Sequence, residues 1–415
     1  MMVTLYNLGI SLLRILYWIA SWFNPKAKAF RKGRLQQKEI LKKAFSQNAS
    51  DQWVWIHCAS LGEFEQGRPV IEALKRSTPS AKVLLTFFSP SGYEVRKDYE
   101  LADEVFYLPW DTRNNAEWFA QNVKPALVIF VKYEFWYHYS AELHKRKIPL
   151  ISISTIFRKD QIFFQPYGSL FRKILGNFDH FFVQNEVSLT LLASINISNA
   201  TKSGDTRFDR VHQITQQATE IPLAKQFKNE QKLMVIGSAW PDDMEVLIPF
   251  INENKNRLKF IIAPHEITEE FITSIEKSID GNSIRYSKPG DAPQNSPVLI
   301  IDNIGMLSTL YSYGEFAFVG GAFGDGLHNI LEAACYGIPI FFGNKKYQKY
   351  QEAVDLVLRG GAFDVADFND LKSKYELMSN HPETFLLACE VTRQYILENL
   401  GATTSIINYS KKYLE

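Results

Sequence analysis

Eleven short apolar runs, spaced by stretches of helical periodicity, constrain this chain more than any other feature of its sequence. The first group is WVWIHC (53–58), KVLLTFF (82–88), EVFYL (104–108), ALVIFV (126–131), PLISIS (149–154) and HFFVQ (180–184). The second is KLMVIG (232–237), LKFIIA (258–263), PVLIID (297–302), EFAFVG (315–320) and IPIFFG (338–343). Such runs lack the polar alternation of a half-exposed strand, so they predict parallel sheets covered by helices on both faces. Strand alternating with helix over these lengths predicts doubly wound α/β units. Residues 201–231 contain no apolar run and read as a linker, and 415 residues exceed what one core usually organises. Two α/β domains of this kind bind ligands at the carboxyl ends of their strands, in a cleft between them.

The N-terminal stretch MMVTLYNLGISLLRILYWIASWF is apolar and nearly long enough to span a bilayer. Its lone basic residue, Arg14, sits in the middle, unlike the leading charge of a secretory signal. Thr4, Asn7, Ser11, Arg14 and Ser21 recur at steps of three, four or seven, which makes a polar stripe on one side of a helix. That suits a helix lying in the membrane interface, or one whose polar face docks on protein. Tyr17, Trp18 and Trp22 match an aromatic belt at headgroup depth. Lys26, Lys28, Arg31, Lys32, Arg34, Lys38, Lys42 and Lys43 follow, opposed only by Glu39. They read as a solvated helix face or, after an apolar segment, as a cytoplasmic patch attracting anionic lipid.

The remaining charge is balanced: 46 basic against 45 acidic residues give a net +1, so no overall field points to nucleic acid. Cys58, Cys335 and Cys389 stand apart in apolar contexts, which argues for a reducing compartment. No H-x-x-x-H pair or Cys/His cluster suggests zinc.

Three glutamates follow strand ends. Glu63 opens the helix after WVWIHCASLG, where the macrodipole alone also favours an acid, as it does Glu65. Glu134 follows ALVIFV among Tyr133, Phe135 and Trp136; it reads as a buried proton carrier or a structural hydrogen-bond acceptor. Glu332 follows FVGGAFGDGLHN, and Asn329-x-x-Glu332 has capping-box spacing. Gly320, Gly321, Gly324 and Gly326 ahead of that helix also suit backbone approach to a phosphate, with Glu332 accepting from ribose hydroxyls. The loop is neither G-x-G-x-x-G nor G-x-x-x-x-G-K-[ST], which argues against a dinucleotide oxidoreductase and a P-loop NTPase.

VWIHCASLGE (54–63), SPSGYE (89–94), YEFW (133–136), GSAWPDDME (237–245) and HNILEAACYGIPIFFG (328–343) together resemble the bacterial 3-deoxy-D-manno-octulosonic acid (Kdo) transferases, with looser likeness at SGDTRFD, APHE and IDNIGML. The resemblance implies an α/β GT-B glycosyltransferase fold, two Rossmann-like domains facing a central cleft, with an N-terminal membrane-anchor helix. The expected division is an anchor over 1–24, an acceptor-binding domain over 25–208, a CMP-sugar-binding domain over 209–390, and a helical segment over 391–415 packing back on the first domain. The implied catalytic residues are Glu63, as general base, and Glu134. The implied donor-binding positions are Gly237, Ser238, His265, Gly305, Asn329 and Glu332; the acceptor-binding ones are Ser60, Gly62, Ser91 and Gly92. This sequence departs from the family pattern at Pro264, where an arginine is usual, at Met306, where a glutamate is usual, and over SISTIFRK, where Arg158 stands near the place of the family's arginine.

The activity so implied is inverting transfer of Kdo from CMP-Kdo to a hydroxyl of a lipid A precursor, on the cytoplasmic side of the cell inner membrane, with no metal or other cofactor and no nucleic-acid partner. A GT-B enzyme using another nucleotide sugar on a membrane acceptor shares the donor helix and the anchor. A non-catalytic membrane scaffold has no need of three acids at strand ends.

Overall fold

The computed structural model describes residues 2–46, 52–217 and 219–414. The chain forms two compact units: residues up to Arg210 together with those from Leu400 onward, and Val211–Asn399.

In the first unit, β1 (Trp53–Cys58), β2 (Lys82–Phe87), β3 (Glu104–Tyr107), β4 (Leu127–Val131), β5 (Leu150–Thr155), β6 (His180–Val183) and β7 (Ala200–Lys202) form a parallel sheet in the order β3-β2-β1-β4-β5-β6-β7. The apolar runs bury both faces. Trp55, Phe119, Phe130 and Tyr139 pack on one side; Val54, Ile56, Phe64 and Ile71 pack on the other. The second unit repeats the plan with β8 (Leu233–Ala239), β9 (Lys259–Pro264), β10 (Ser283–Arg285), β11 (Val298–Ile300), β12 (Phe316–Val319), β13 (Ile340–Gly343) and β14 (Ala362–Val365), ordered β10-β11-β9-β8-β12-β13-β14. In each sheet the first strand is central and the chain winds outward from it twice. The direction reverses between β1 and β4, and again between β8 and β12, and open α/β sheets bind ligands at that reversal.

Three strands lie outside the sequence expectation: β7, β10 and β14. They are short, and two of them read ATK and SIR, with one apolar residue each. The expected linker is also corrected. Residues 201–231 hold the end of β7 and two helices, Thr206–Gln216 and Pro222–Lys228, tied down by polar contacts: Thr206 donates to the Gln66 carbonyl at 2.5 Å, and Gln66 to Asp205 at 2.9 Å.

Helix α1 (Met2–Ala20) is the one described helix long and apolar enough to cross a membrane. One side docks on protein, through Tyr6, Asn7 and Tyr17, while Thr4, Ser11 and Arg14 of the polar stripe stay exposed. Tyr6 donates to Asp111 at 2.5 Å, Asn7 meets His138 at 2.6 Å, and Tyr17 stacks on Phe30 at 4.0 Å. Tyr17 therefore faces inward, contrary to its expected place in an exposed aromatic belt, while Trp18 and Trp22 stay exposed. The opposite face bares Leu5, Leu8, Leu12, Ile15, Leu16 and Ile19. Helix α2 (Pro25–Ser46) buries Phe30, Leu41 and Phe45 against the first sheet.

The return to the first unit begins at Leu400, later than residue 391, because Pro382–Glu398 is one unbroken helix of the second unit. Helix Ala402–Ser410 starts at Gly401, which has no side chain to cap it. Asp209 supplies the cap, accepting from the Gly401 N–H at 2.7 Å and the Thr403 N–H at 2.6 Å. Ile406 and Ile407 then enter the core beside β1. Asp209→Ala should cost about 1–2 kcal/mol through loss of this cap. Thermal unfolding and limited proteolysis check this: the variant should lose residues after 400 faster than the parent at unchanged sheet content.

Candidate active site

Helix α3 (Leu61–Ser77) leaves the carboxyl end of β1, with Ser60 as N-cap and Glu63 in the first turn. Ser60 makes no capping hydrogen bond to the backbone; its hydroxyl donates to Glu63 instead. The macrodipole explains an acid here but does not distinguish Glu63 from Glu65. Their partners do. Glu65 is taken up by Arg96 at 3.1 Å and Arg68 at 4.0 Å, whereas Glu63, half-buried, has no ion pair among the described residues.

Glu134 reaches the same sheet end from β4. After Val131 the backbone turns sharply at Lys132, whose φ of 68° is unusual for a residue with a side chain. The turn carries Glu134 back to His57, with Oε2 at 2.9 Å from the fully buried Nε2. Trp136 Nε1–H donates to the same oxygen at 2.7 Å. On β1, Trp55 and His57 share a face by the two-residue strand period, and His57 pairs in register with Thr86 of β2. His57 Nδ1 lies 3.1 Å from the Thr86 carbonyl and 2.9 Å from its hydroxyl, which already accepts from Trp55 Nε1 at 2.8 Å. A carbonyl only accepts, so Nδ1 carries a hydrogen. Nε2 then faces a carboxyl oxygen, and two lone pairs at 2.9 Å repel unless a proton lies between them. The His57–Glu134 pair therefore holds one shared proton, with the imidazole fully buried and the carboxyl side chain 11% exposed.

Tyr133, next to Glu134 in the chain, meets Arg158. Burial raises the Tyr133 phenol above its ordinary range, the Arg158 guanidinium, donating to it at 3.2 Å, opposes this, and the Glu63 carboxylate adds to the rise. Ser89 caps helix α4 (Pro90–Arg96), accepting from the Ser91 N–H at 3.2 Å. Ser91 is exposed at the end of β2, while Gly92 is buried because a Cβ there would enter the Phe87 ring. Gly62 is exposed, and a Cβ there would meet the Ser60 hydroxyl at an ordinary contact distance of 3.7 Å. The acceptor positions expected from sequence thus lie at the ends of β1 and β2, next to the catalytic candidates.

In the second unit, Ser238 adopts a φ of 52° at a bulge in the β8–β9 ladder, and a Cβ on Gly237 would strike the Tyr311 hydroxyl. The glycine loop after β12 differs from expectation. The N–H groups of Gly320, Gly321, Gly324 and Gly326 are all used internally: Gly320 donates to the Gly237 carbonyl at 2.9 Å and Gly321 to Asp243 at 2.8 Å, and Gly324 and Gly326 donate to the Gly321 carbonyl at 3.1 and 2.8 Å. These glycines serve close packing and do not offer their amides to a phosphate. Asp243 also accepts from Trp240 N–H at 2.9 Å, and burial lifts its carboxyl to about 6.

Glu332 sits in a short helix, Leu331–Ala334, without the capping box its spacing suggested. Its carboxylate accepts from Ser308 at 2.5 Å and from the Asn329 amide at 3.1 Å. Gly305, at φ 97°, lies in the exposed loop before Ser308. The exposed His265 stacks on Trp240 at 4.2 Å and lies 4.4 Å from His328. His328, like His57, is absent from the sequence-derived site. Trp240 Nε1–H donates to His328 Nε2 at 2.9 Å, which leaves its proton on Nδ1. Among the described residues no group of three or more His, Cys, Asp or Glu is placed to hold a metal ion.

Residues 31–210 match the family model described as "3-Deoxy-D-manno-octulosonic-acid transferase (kdotransferase)". A "3-deoxy-D-manno-octulosonic acid transferase" of Aquifex aeolicus (strain VF5) is 29% identical over 355 residues, covering 83% of this chain and 92% of the relative. The protein of the same description from Rickettsia typhi is 27% identical, covering 84% of this chain and 76% of the relative. Among solved structures, UDP-GlcNAc 2-epimerase from Neisseria meningitidis bound to UDP-GlcNAc has a TM-score of 0.62 over 87% of this chain and 100% of its own, at 17% identity. A ugt transferase from Siraitia grosvenorii in complex with UDP gives 0.53 over 88% and 100%, at 11% identity. With the two sheet topologies, these likenesses define the class: an α/β protein of the GT-B type, built from two Rossmann-like domains. The sequence matches are narrower: the matched segment, residues 31–210, and the curated relatives at 27–29% identity make the chain similar to the Kdo transferases.

Burial, with His265 adding, lowers His328 to about 4 from an ordinary value near 6.5. The unfolded chain therefore binds more protons at this position between those values, and stability from His328 is complete above pH 6.5 and lost as pH falls toward 4. Asp243, raised from 3.8 to about 6, acts oppositely over an overlapping window, so the test is a difference. Between pH 6.5 and 4, parent and His328→Gln unfolding curves should converge; a constant gap would contradict the assignment.

Proposed function

We propose that this chain transfers Kdo from CMP-Kdo to a hydroxyl of a lipid A precursor, with inversion at the anomeric carbon. The observation that carries the reading is the division of labour between two acids at the reversal point of the first sheet, inside the segment that matches the family. Glu134 shares its proton with His57 and is tethered to Trp136. Glu63 carries only a hydroxyl donor on a half-buried carboxylate, so it is the group available to take a proton from an incoming hydroxyl. Glu134 then orients the acceptor instead of acting as the base. Ser60, Gly62, Ser91 and Gly92 form the surrounding acceptor surface.

On the donor side, Glu332, aligned by Ser308 and Asn329, is proposed to accept from the ribose hydroxyls. Ser238 and His265 are proposed to meet the CMP phosphate, with Gly237 and Gly305 shaping the loops that carry them. The anomeric carbon of a keto-acid sugar gains positive character as CMP departs. Catalysis then rests mainly on positioning and late proton removal. No metal is assigned to this step, and exhaustive dialysis against EDTA should leave the rate unchanged; a loss restored by Mg²⁺ would refute that.

The apolar face of α1 is proposed to hold the enzyme on the cytoplasmic side of the inner membrane. Contacts from Tyr6 to Tyr17 hold its other side to protein over about three turns, which suits a helix lying in the interface better than one crossing the bilayer.

Glu63→Gln should lower CMP release from CMP-Kdo plus lipid A precursor by at least roughly 10²-fold, the usual scale for loss of a general base. Donor binding by calorimetry should stay unchanged. Turnover near the parental rate would remove Glu63 from the role. A variant-independent preference for UDP-sugars over CMP-Kdo would instead favour a different donor.

A further inference from the structure

Between α1, α2 and the segment following β3 lies a cavity of about 960 Å³, at the upper end of small-ligand sites. Its inner wall is aromatic: Tyr17, Phe30 and Trp110 pack on one another with centroids 4.0–5.9 Å apart. Its lining also includes the amide side chains of Asn114 and Asn115, and no acidic side chain among the described residues. Three arginines line it, in two different conditions. Arg34 is half-buried and spent, donating to the Leu108 carbonyl at 3.2 Å and the Phe88 carbonyl at 2.7 Å over the Phe30 ring. Arg14 and Arg31 are exposed, and neither has a carboxylate or hydrogen-bond partner among the described residues; Arg31 only approaches the Trp18 ring, at 5.9 Å.

The α1 residues lining the cavity are Ser11, Arg14, Ile15, Tyr17 and Trp18. Ile15 and Trp18 are at the same time part of the outward apolar face. One opening therefore joins two free guanidinium groups to a strip of bare hydrocarbon. Guanidinium forks match phosphate oxygens, and the strip matches an acyl chain. Neither chemistry alone explains both halves of the lining. The proposed acceptor positions Ser60, Gly62, Ser91 and Gly92 are not in this lining, so it is a site apart from the reaction.

We infer that the cavity seats one anionic glycerophospholipid of the bilayer, its phosphate between Arg14 and Arg31 and an acyl chain along Ile15 and Trp18. The inference rests on the proposed membrane contact of α1, so the test separates the two. The full chain is titrated with monomeric dihexanoylphosphatidylglycerol, dihexanoylphosphatidylcholine or inorganic phosphate, and binding is read by calorimetry. The parent should bind the phosphatidylglycerol saturably at one per chain, and the other two probes more weakly. Arg14→Gln/Arg31→Gln should weaken that binding roughly ten-fold or more, as loss of charge-assisted hydrogen bonds does. Ser11→Trp, which fills the cavity without altering charge, should weaken it similarly, and Lys26→Gln/Lys28→Gln, outside the lining, should change it by less than about two-fold. Absence of saturable binding, parental affinity in Ser11→Trp, or equal affinity for inorganic phosphate would overturn the lipid site. Flotation on phosphatidylcholine vesicles reads the α1 contact separately: its failure with intact short-chain lipid binding refutes the membrane contact alone.

Discussion

The buried hydrogen bond between His57 and Glu134 is the contact that organises the carboxyl end of the first sheet. It joins the ends of three strands, because His57 stands on β1, its other ring nitrogen is held by Thr86 of β2, and Glu134 returns from β4. A charged or polar group in such a place is costly when left without its partner, so removing one member costs more than the pair contributes net. The backbone turn at Lys132 is maintained against its own preference to bring Glu134 there. With that carboxyl committed, the half-buried Glu63, which accepts from the Ser60 hydroxyl, is the acid we propose as the base. Two glutamates that follow strands of one sheet thus have different surroundings, and surroundings are what usually tell carboxylates apart.

The parallel α/β plan was legible because burial on both faces writes itself as unbroken apolar runs. All eleven runs became strands. β7, β10 and β14 were not legible, since three or four residues at or near a sheet edge need little apolar content. The unit boundary, between Arg210 and Val211, does fall in the expected linker, but its helices were not legible, because they are held through Thr206, Asp209, Ile221 and Lys228 by partners far away in sequence. Polar tethers of that kind leave no periodic trace.

The candidate site was half legible. Glu63, Glu134 and Glu332 stood out because an acid beside a buried run is conspicuous. His57 and His328 did not, although both lie inside quoted motifs, because a histidine within an apolar run reads as core until its partners are known. The glycine loop misled in the opposite sense. Glycines that let a backbone approach a phosphate also let two strand ends and Asp243 approach one another, and the structure uses them that way. The polar stripe on α1 was legible, but of its residues Asn7 meets protein at His138 while Thr4, Ser11 and Arg14 stay exposed, and the docking contacts come largely from Tyr6 and Tyr17.

The central claim, that Glu134 is bound to a proton it shares with His57 while Glu63 stays free, is tested most directly by ¹⁵N NMR of histidine-labelled protein at neutral pH. The account predicts a His57 ring with a hydrogen on Nδ1 and a second proton at or shared by Nε2, a signature lost in Glu134→Gln. A His57 resonance with Nε2 bare in the parent, unchanged when Glu134 is replaced, would contradict it.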